Sequence, residues 1–347
     1  MPTTQSLLRI VGAAAAALVL VWLVVKGADD PHTFATVTLN GLTLSALFFV
    51  VASGFTLIFG LMRVVNMAHG SLYLLGGYLA FEIQKGWFTD EGQGLQLSLA
   101  SPTGSSADYD LLGWLVPVVL AALAIGVVGV IIQQLFLRWN QGQDLRQALI
   151  TIAISVIMAD QMLAQFGGIA KDVKTPSNWP ESVSILGVQY GFFRLVIVTG
   201  AALLIGLFLW WLIKRTRFGL IVRAGVDDRA MVSALGINIP LVFAGAFFIG
   251  ALLAGLGGTL GGTMLSLQPG EDASFLLNSL IVVIIGGMGS LGGAAIGALL
   301  LGLVDAYADV YLVFGDTDLT NYSILLTFAL LVGVLAVRPL GLFGRPA

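Results

Sequence analysis

Few side chains in this sequence can do chemistry, and most of them interrupt apolar stretches. Asn66-Met67-Ala68-His69-Gly70 breaks the apolar region between Phe48 and Tyr78. Polar groups at such depth are tolerated only where protein or a water-filled cavity surrounds them. Asn66 can cap the helix that follows. His69 can bond loop carbonyls at an interfacial turn, or line a pathway. A second break carries Thr151, Ser155, Asp160 and Gln161. Thr151 and Ser155 lie four apart on one helical face, where their hydroxyls either line a path or bond back to the helix. Asp160 is an intramembrane acid, a functional-site hypothesis by default. Its bland alternative is an outer-end residue partnered by Arg194 or Lys171. Asn66, His69, Thr151, Ser155 and Asp160 are therefore the candidate path residues.

Other chemistries fall away. With two histidines and no cysteine, thiolate metal sites and a cysteine nucleophile are excluded, no metal site is expected, and no catalytic residue is proposed. No serine sits in a G-x-S-x-G motif. Gly287-Met288-Gly289-Ser290-Leu291-Gly292 formally matches G-x-G-x-x-G, but a dinucleotide site needs a preceding strand and a βαβ unit. The sequence has no G-x-x-x-x-G-K-[ST], so this chain binds no ATP through a P-loop and any ATP drive comes from another subunit.

The elements that must position these residues follow from composition. The 347 residues are 58% hydrophobic and 10% charged, against about 25% charged in an average soluble domain. Sixteen basic and 19 acidic side chains cannot cover a soluble fold of this length, so membrane lipid is the solvent for much of it. A soluble enzyme, a nucleic-acid binder and a disordered scaffold are excluded. The apolar runs do not alternate as barrel strands do. The expected fold is all-α: a polytopic helical membrane protein forming one transmembrane domain over residues 1–347.

Eight spans are expected: Leu7–Val25, Leu39–Leu61, Ser71–Ile83, Leu111–Leu137, Gln147–Phe166, Phe192–Ile213, Leu241–Leu265 and Tyr322–Val337. The first reads as an uncleaved helix rather than a signal peptide, because Lys26-Gly27-Ala28 is a poor cleavage site. Phe275–Val304 is cut by Gly286-Gly287-Met288-Gly289-Ser290-Leu291-Gly292-Gly293. Each half looks too short to span, so the stretch is expected to be a re-entrant hairpin or broken helix pair.

Arginine and lysine in short loops set orientation. Arg9, Arg63, Arg138, Arg146, Lys214, Arg215, Arg217, Arg223, Arg229, Arg338 and Arg345 all fall on one side if the Phe275–Val304 stretch enters and leaves on the other. That side is cytoplasmic, with both termini. The acids, including Asp172, Glu181, Glu271, Asp272, Asp305 and Asp309, are expected outside. Glycine is abundant, at 44 residues, and much of it is spaced for close helix packing. Ala246, Gly250, Ala254, Gly258 and Gly262 form one row, and Gly289, Gly293 and Gly297 another. Gly286, Gly287, Gly289, Gly292 and Gly293 mark the break.

Residues 214–240 form the longest cytoplasmic segment, where Arg223–Asn238 is expected to be a short helix. Asp227 or Asp228 is its N-cap candidate, Gly236 its C′ residue, and Val226, Ala230 and Ala234 share a face. Three stretches now carry a resemblance: Asn40–Ala80 with Asn66–Gly70, Arg223–Asn238, and Gly255–Gly302 with its Gly-Gly-Met-Gly-Ser-Leu-Gly-Gly core. In order and spacing the chain resembles the permease subunits of branched-chain amino-acid ABC importers.

The resemblance implies a plasma-membrane (bacterial inner-membrane) multi-pass permease paired with a homologous second permease. It implies two cytoplasmic ABC ATPase subunits that use the ATP, and an extracytoplasmic solute-binding protein. It also implies that residues 214–240 are a coupling loop, with Arg223, Asp227, Asp228, Ala230 and Gly236 docking the ATPase. The family's Glu-Ala-Ala-like start is replaced here by Ala230-Met231-Val232, with Asp227 and Asp228 nearby. The solute expected is a branched-chain or other small hydrophobic amino acid, moved by alternating access. The alternatives are a urea or short-chain amide permease, which the family also includes, and a proton- or gradient-driven carrier or channel, for which Asp160 is the best support.

Overall fold

The structure is a computed structural model that describes residues 27, 29–62, 65–88, 111–140, 142–185, 187–227, 229–314, 317–318 and 320–344. The expected span Leu7–Val25, and Arg9, Arg63, Asp228 and Arg345, lie outside the described residues. Eleven α-helices are described: α1 Pro31–Met62, α2 His69–Phe88, α3 Leu111–Ile132, α4 Asp144–Phe166, α5 Thr199–Arg215, α6 Arg217–Asp227, α7 Arg229–Ala234, α8 Ile239–Met264, α9 Glu271–Gly286, α10 Leu291–Tyr311 and α11 Ser323–Val337. A π-helical turn, Gln133–Leu137, extends α3, and another, Phe193–Val198, leads into α5. Two short antiparallel hairpins, Ser182–Ile185 with Val188–Gly191 and Val313–Phe314 with Thr317–Asp318, are the strands described.

Six of these helical stretches are long and apolar enough to cross a membrane. They confirm an all-α polytopic protein, and they fall short of the eight expected spans. Leu7–Val25 is outside the described residues, α2 carries Glu82, Gln84 and Lys85, and α11 has only 15 residues.

Where α1 begins differs from the expectation of Leu39. Asp30 caps it: one carboxylate oxygen accepts the backbone N–H groups of His32 and Thr33, and the other accepts the Thr33 hydroxyl at 2.7 Å. The Thr33 bonds, then that of His32, hold the Asp30 carboxyl below its usual range. Pro31 follows as a residue pre-set for the first turn.

Helix α8 is the hub, and its small residues explain why. Ala246, Gly250, Ala254, Gly258 and Gly262 are all buried. Lipid gives helices no hydrophobic reason to associate, so dispersion at close approach must hold them. A methyl group built on Gly250 would lie 2.8 Å from the Gly54 carbonyl oxygen on α1. One on Gly255 would lie 2.8 Å from Ile125 Cβ on α3, and one on Gly258 would overlap the Tyr73 carbonyl of α2.

The break in Phe275–Val304 is a helical hairpin. Gly286 lies against Gly293, and Gly297 against the Val282 carbonyl, so α9 and α10 run antiparallel. The turn uses positive φ at Gly287 (99°) and Gly289 (80°). Ser290 caps α10 by accepting the Gly293 N–H at 3.1 Å. One expectation needs correction: α10, with 21 residues, is long enough to cross alone, while α9 has 16. The turn sits at an end of the bundle, not at its middle. Gly60, near the end of α1, approaches Gly289, and the chain after α11 donates Leu342 and Phe343 N–H groups to the carbonyls of Ile285 and Gly286. A methyl group on Gly292 would meet nothing within 4 Å among the described residues.

Glu271 and Asp272 form the first turn of α9, and Asp305 and Asp309 lie within α10.

Candidate functional site

The polar break in the chain between α1 and α2 is folded into the protein interior. Asn66 (1% exposed) accepts the Ala68 N–H through Oδ1 at 3.2 Å, and its backbone carbonyl accepts the His69 N–H. That turns the chain toward α2 by a bond to Ala68, just ahead of the helix, rather than as the residue that caps it. His69 is fully buried and its Nε2 lies 3.0 Å from the Val51 carbonyl of α1, so Nε2 carries the proton and donates. Its ring stands edge-on to Phe55 at 5.3 Å. The partner is thus a helix carbonyl, not a loop carbonyl, and His69 lies beside the interior of α1, not at an interfacial turn.

Four of the five candidate path residues gather here. Helix α4 runs parallel to the start of α2, with Thr151 beside Met67 and Ser155 beside Ser71. Thr151 Oγ1 accepts the Met67 N–H at 3.2 Å while donating to the Ala148 carbonyl, so the back-bonded and the bridging uses coexist. Ser155 Oγ lies 2.8 Å from Ser71 Oγ.

Asp160 does not join them. It is exposed on α4, and neither expected cation reaches it. Arg194 donates to the Met264 carbonyl, and Lys171 Nζ lies 3.9 Å from Glu82. A helix turns about 100° per residue, so five residues beyond Ser155 the side chain points to a different face.

Two residues complete the cluster that sequence reasoning did not place in it. Ser71 was only the start of a span and Asp272 only an outer acid. Asp272 is 8% exposed, and its Oδ2 accepts from Ser71 Oγ at 3.4 Å. Gly70 makes the meeting possible: a methyl group there would overlap the Asp272 carbonyl. The one available signal was a pair of acids directly before an apolar run, which marks a helix N-terminus. Among the described residues no lysine or arginine forms an ion pair with Asp272. Tyr73 stacks on Phe275 at 3.9 Å, placing an aromatic wall beside the polar groups. The cluster therefore presents hydroxyl and carboxylate acceptors, next to aromatic surface, inside a membrane-type bundle.

Comparison with known proteins decides the family. The profile of the branched-chain amino acid transport system / permease component family matches residues 37–335. The chain belongs to this family. It is 31% identical over 320 residues to the high-affinity branched-chain amino acid transport system permease protein BraD of Pseudomonas aeruginosa, covering 88% of this chain and 94% of that protein. It is 29% identical over 323 residues to the permease protein LivH of Escherichia coli, with the same coverage. A shorter likeness, 27% over 166 residues, extends to the ribose import permease protein RbsC of Haemophilus influenzae, covering 45% of this chain. No solved structure matches.

In this permease-family chain the segment expected to couple is helical on both sides of residue 228, over Arg217–Asp227 and Arg229–Ala234. Arg223 and Asp227 belong to α6, so Asp227 lies within helix rather than ahead of one as an N-cap. Asp228, and the side chains of Val226, Asp227 and Ala230, lie outside the described residues, so the expected shared face is not traced beyond Ala234, which is exposed. Gly236 takes φ 82° just past α7 and donates to the Ser233 carbonyl, the C′ geometry expected of it. Val222 and Val232 are buried, whereas Met231 is 61% and Leu235 70% exposed. Asn238 then caps α8 by accepting the Leu241 N–H.

Proposed function

We propose that this chain is the membrane-spanning permease subunit of an ATP-driven importer of branched-chain or other small hydrophobic amino acids. The family match across residues 37–335 is the observation that carries the reading. The buried cluster of Ser71, Ser155 and Asp272 supports it, because a transport route needs polar groups where lipid would otherwise forbid them. The chain performs no covalent chemistry. It works with a homologous second permease, two ABC ATPases that hydrolyse the ATP, and a solute-binding protein outside.

The bundle end bearing Lys214, Arg215, Arg217 and Arg223 faces the cytoplasm of the bacterial inner membrane, by the positive-inside rule. Both termini face the same way. Met231 and Leu235 offer apolar contact to an ATPase there, and α6–α7 pass its motion to α8. Asn66, His69, Thr151 and Ser155 belong to or brace the route.

Reconstitution tests the proposal. Proteoliposomes holding the permease pair, ATPases and binding protein are expected to accumulate labelled leucine only with ATP inside the ATPase compartment. Accumulation by this chain alone, driven by a proton gradient, would replace the reading with that of a self-sufficient carrier.

A further inference from the structure

At the bundle end opposite the basic segment lies a cavity of about 300 Å³. It is lined by the chain after α4 (Thr175, Trp179, Glu181), by Phe193 and Arg194 at the entry to α5, and by Thr263 near the end of α8. Three features distinguish it. First, Glu181 and Arg194 both line it, both are exposed, and they do not form an ion pair with each other. Opposite charges sharing one cavity without pairing leave both free to meet a ligand's charges. Second, the wall is aromatic and preorganised: Trp179 packs on Phe193 at 6.3 Å and on Trp114 at 5.3 Å, and Trp114 is itself buried. Third, the Arg194 side chain is steadied by one bond, from Nη2 to the Met264 carbonyl at 3.1 Å, which leaves its other N–H donors available.

We propose that this cavity is a receiving site for a zwitterionic amino acid with an apolar side chain. Arg194 takes the α-carboxylate, Glu181 takes the α-ammonium, and Trp179 with Phe193 covers the side chain. A guanidinium suits a carboxylate because its planar N–H groups match the two oxygens. A ligand with one charge alone would leave the opposite wall charge unmatched. A free amino acid with a branched side chain fits the volume, whereas a folded peptide does not. The site stands apart from the Ser71–Asp272 cluster, but α8 joins them: Thr263 lines the cavity, and Gly261, two residues earlier, packs against the Tyr73 hydroxyl. The choice of an amino acid rests on the proposed transport function; the zwitterion chemistry stands on the cavity itself.

The test is binding by the purified full chain in nanodiscs, titrated with leucine, 4-methylpentanoate (no ammonium) and isoamylamine (no carboxylate). Wild type is expected to prefer leucine over both analogues. Glu181→Gln, an isosteric change at an exposed side chain, is expected to weaken leucine at least about tenfold while leaving 4-methylpentanoate unchanged, since one charge-assisted bond is lost. Arg194→Gln is expected to weaken leucine and 4-methylpentanoate and to spare isoamylamine. Because Arg194 also bonds Met264, the thermal midpoint of each variant is measured beside binding. Equal leucine affinity in wild type and Glu181→Gln, or no leucine binding by the wild-type chain, would overturn the assignment. ATP-driven leucine uptake by the whole importer is measured in parallel. Normal uptake in Glu181→Gln would sink the receiving site and leave the transport function standing, whereas no uptake by the wild-type importer would sink the function and leave the binding result to judge the cavity.

Discussion

Glycine at the crossing of α1 and α8 gives a sharp test of how the bundle is held. A methyl group on Gly54 would lie 2.5 Å from the Gly250 carbonyl oxygen, and one on Gly250 would lie 2.8 Å from the Gly54 carbonyl oxygen. Ordinary contact for a real Cβ begins at 3.4 Å. Gly54→Ala therefore requires the helices to part by roughly 0.9 Å against backbone, which cannot rotate away; Gly250→Ala requires roughly 0.6 Å against the Gly54 carbonyl and must also displace the Ile58 side chain, which lies nearer at 2.6 Å. Overpacking of this kind costs about 1–3 kcal/mol, and Gly54→Ala belongs at the upper end. The two changes are relieved by the same separation, so the double variant should cost clearly less than the sum, with a coupling on the order of 1 kcal/mol. Gly333→Ala on α11 is the control: among the described residues nothing lies within 4 Å, and alanine is the better helix former, so it should be neutral or stabilising. The assay is the thermal midpoint of the purified chain in detergent. Single variants indistinguishable from Gly333→Ala, or strictly additive losses in the double variant, would refute close backbone contact as the force holding α1 to α8.

Asp272→Asn keeps the shape of the buried cluster and removes its charge; leucine uptake by the reconstituted importer is expected to fall at least about tenfold, the worth of one charge-assisted bond of about 1.5 kcal/mol, and wild-type uptake would remove Asp272 from the route. Asp160→Asn, at an exposed acid that has no ion-pair partner among the described residues, should leave ATP-driven uptake intact, whereas abolished uptake would favour proton coupling. Gly236→Val places a β-branched residue at φ 82°, a strain of about 1–2 kcal/mol, and should loosen the end of α7 and reduce ATPase co-purification; unchanged association would separate this turn from coupling.

The cluster shows what a one-dimensional reading reaches. Asn66, His69, Thr151 and Ser155 were legible because polar groups within apolar runs are conspicuous in a chain meant for lipid. Asp160 was conspicuous for the same reason, yet it lies on another face of α4. Ser71 and Asp272 were hidden because their meaning depends on a contact across 201 positions of sequence, made where Gly70 lets α9 approach α2. The segment between α5 and α8 was legible as a charged stretch between spans, and Arg217–Asp227 and Arg229–Ala234 within it are helical.

By itself the sequence determined the class of solvent, the helical architecture and the break at Gly286–Gly293, since these follow from local composition and from the backbone's need for internal hydrogen bonds in lipid. It also placed the glycine row of α8 on a packing face, since four-residue spacing repeats along one side of a helix. Only the tertiary structure decided what those faces meet. It set Asp272 beside Ser71 and left Asp160 exposed. It brought Glu181 and Arg194 to one cavity without pairing them. Each outcome rests on contacts between helices distant in sequence, where close packing, and not local propensity, selects the neighbour.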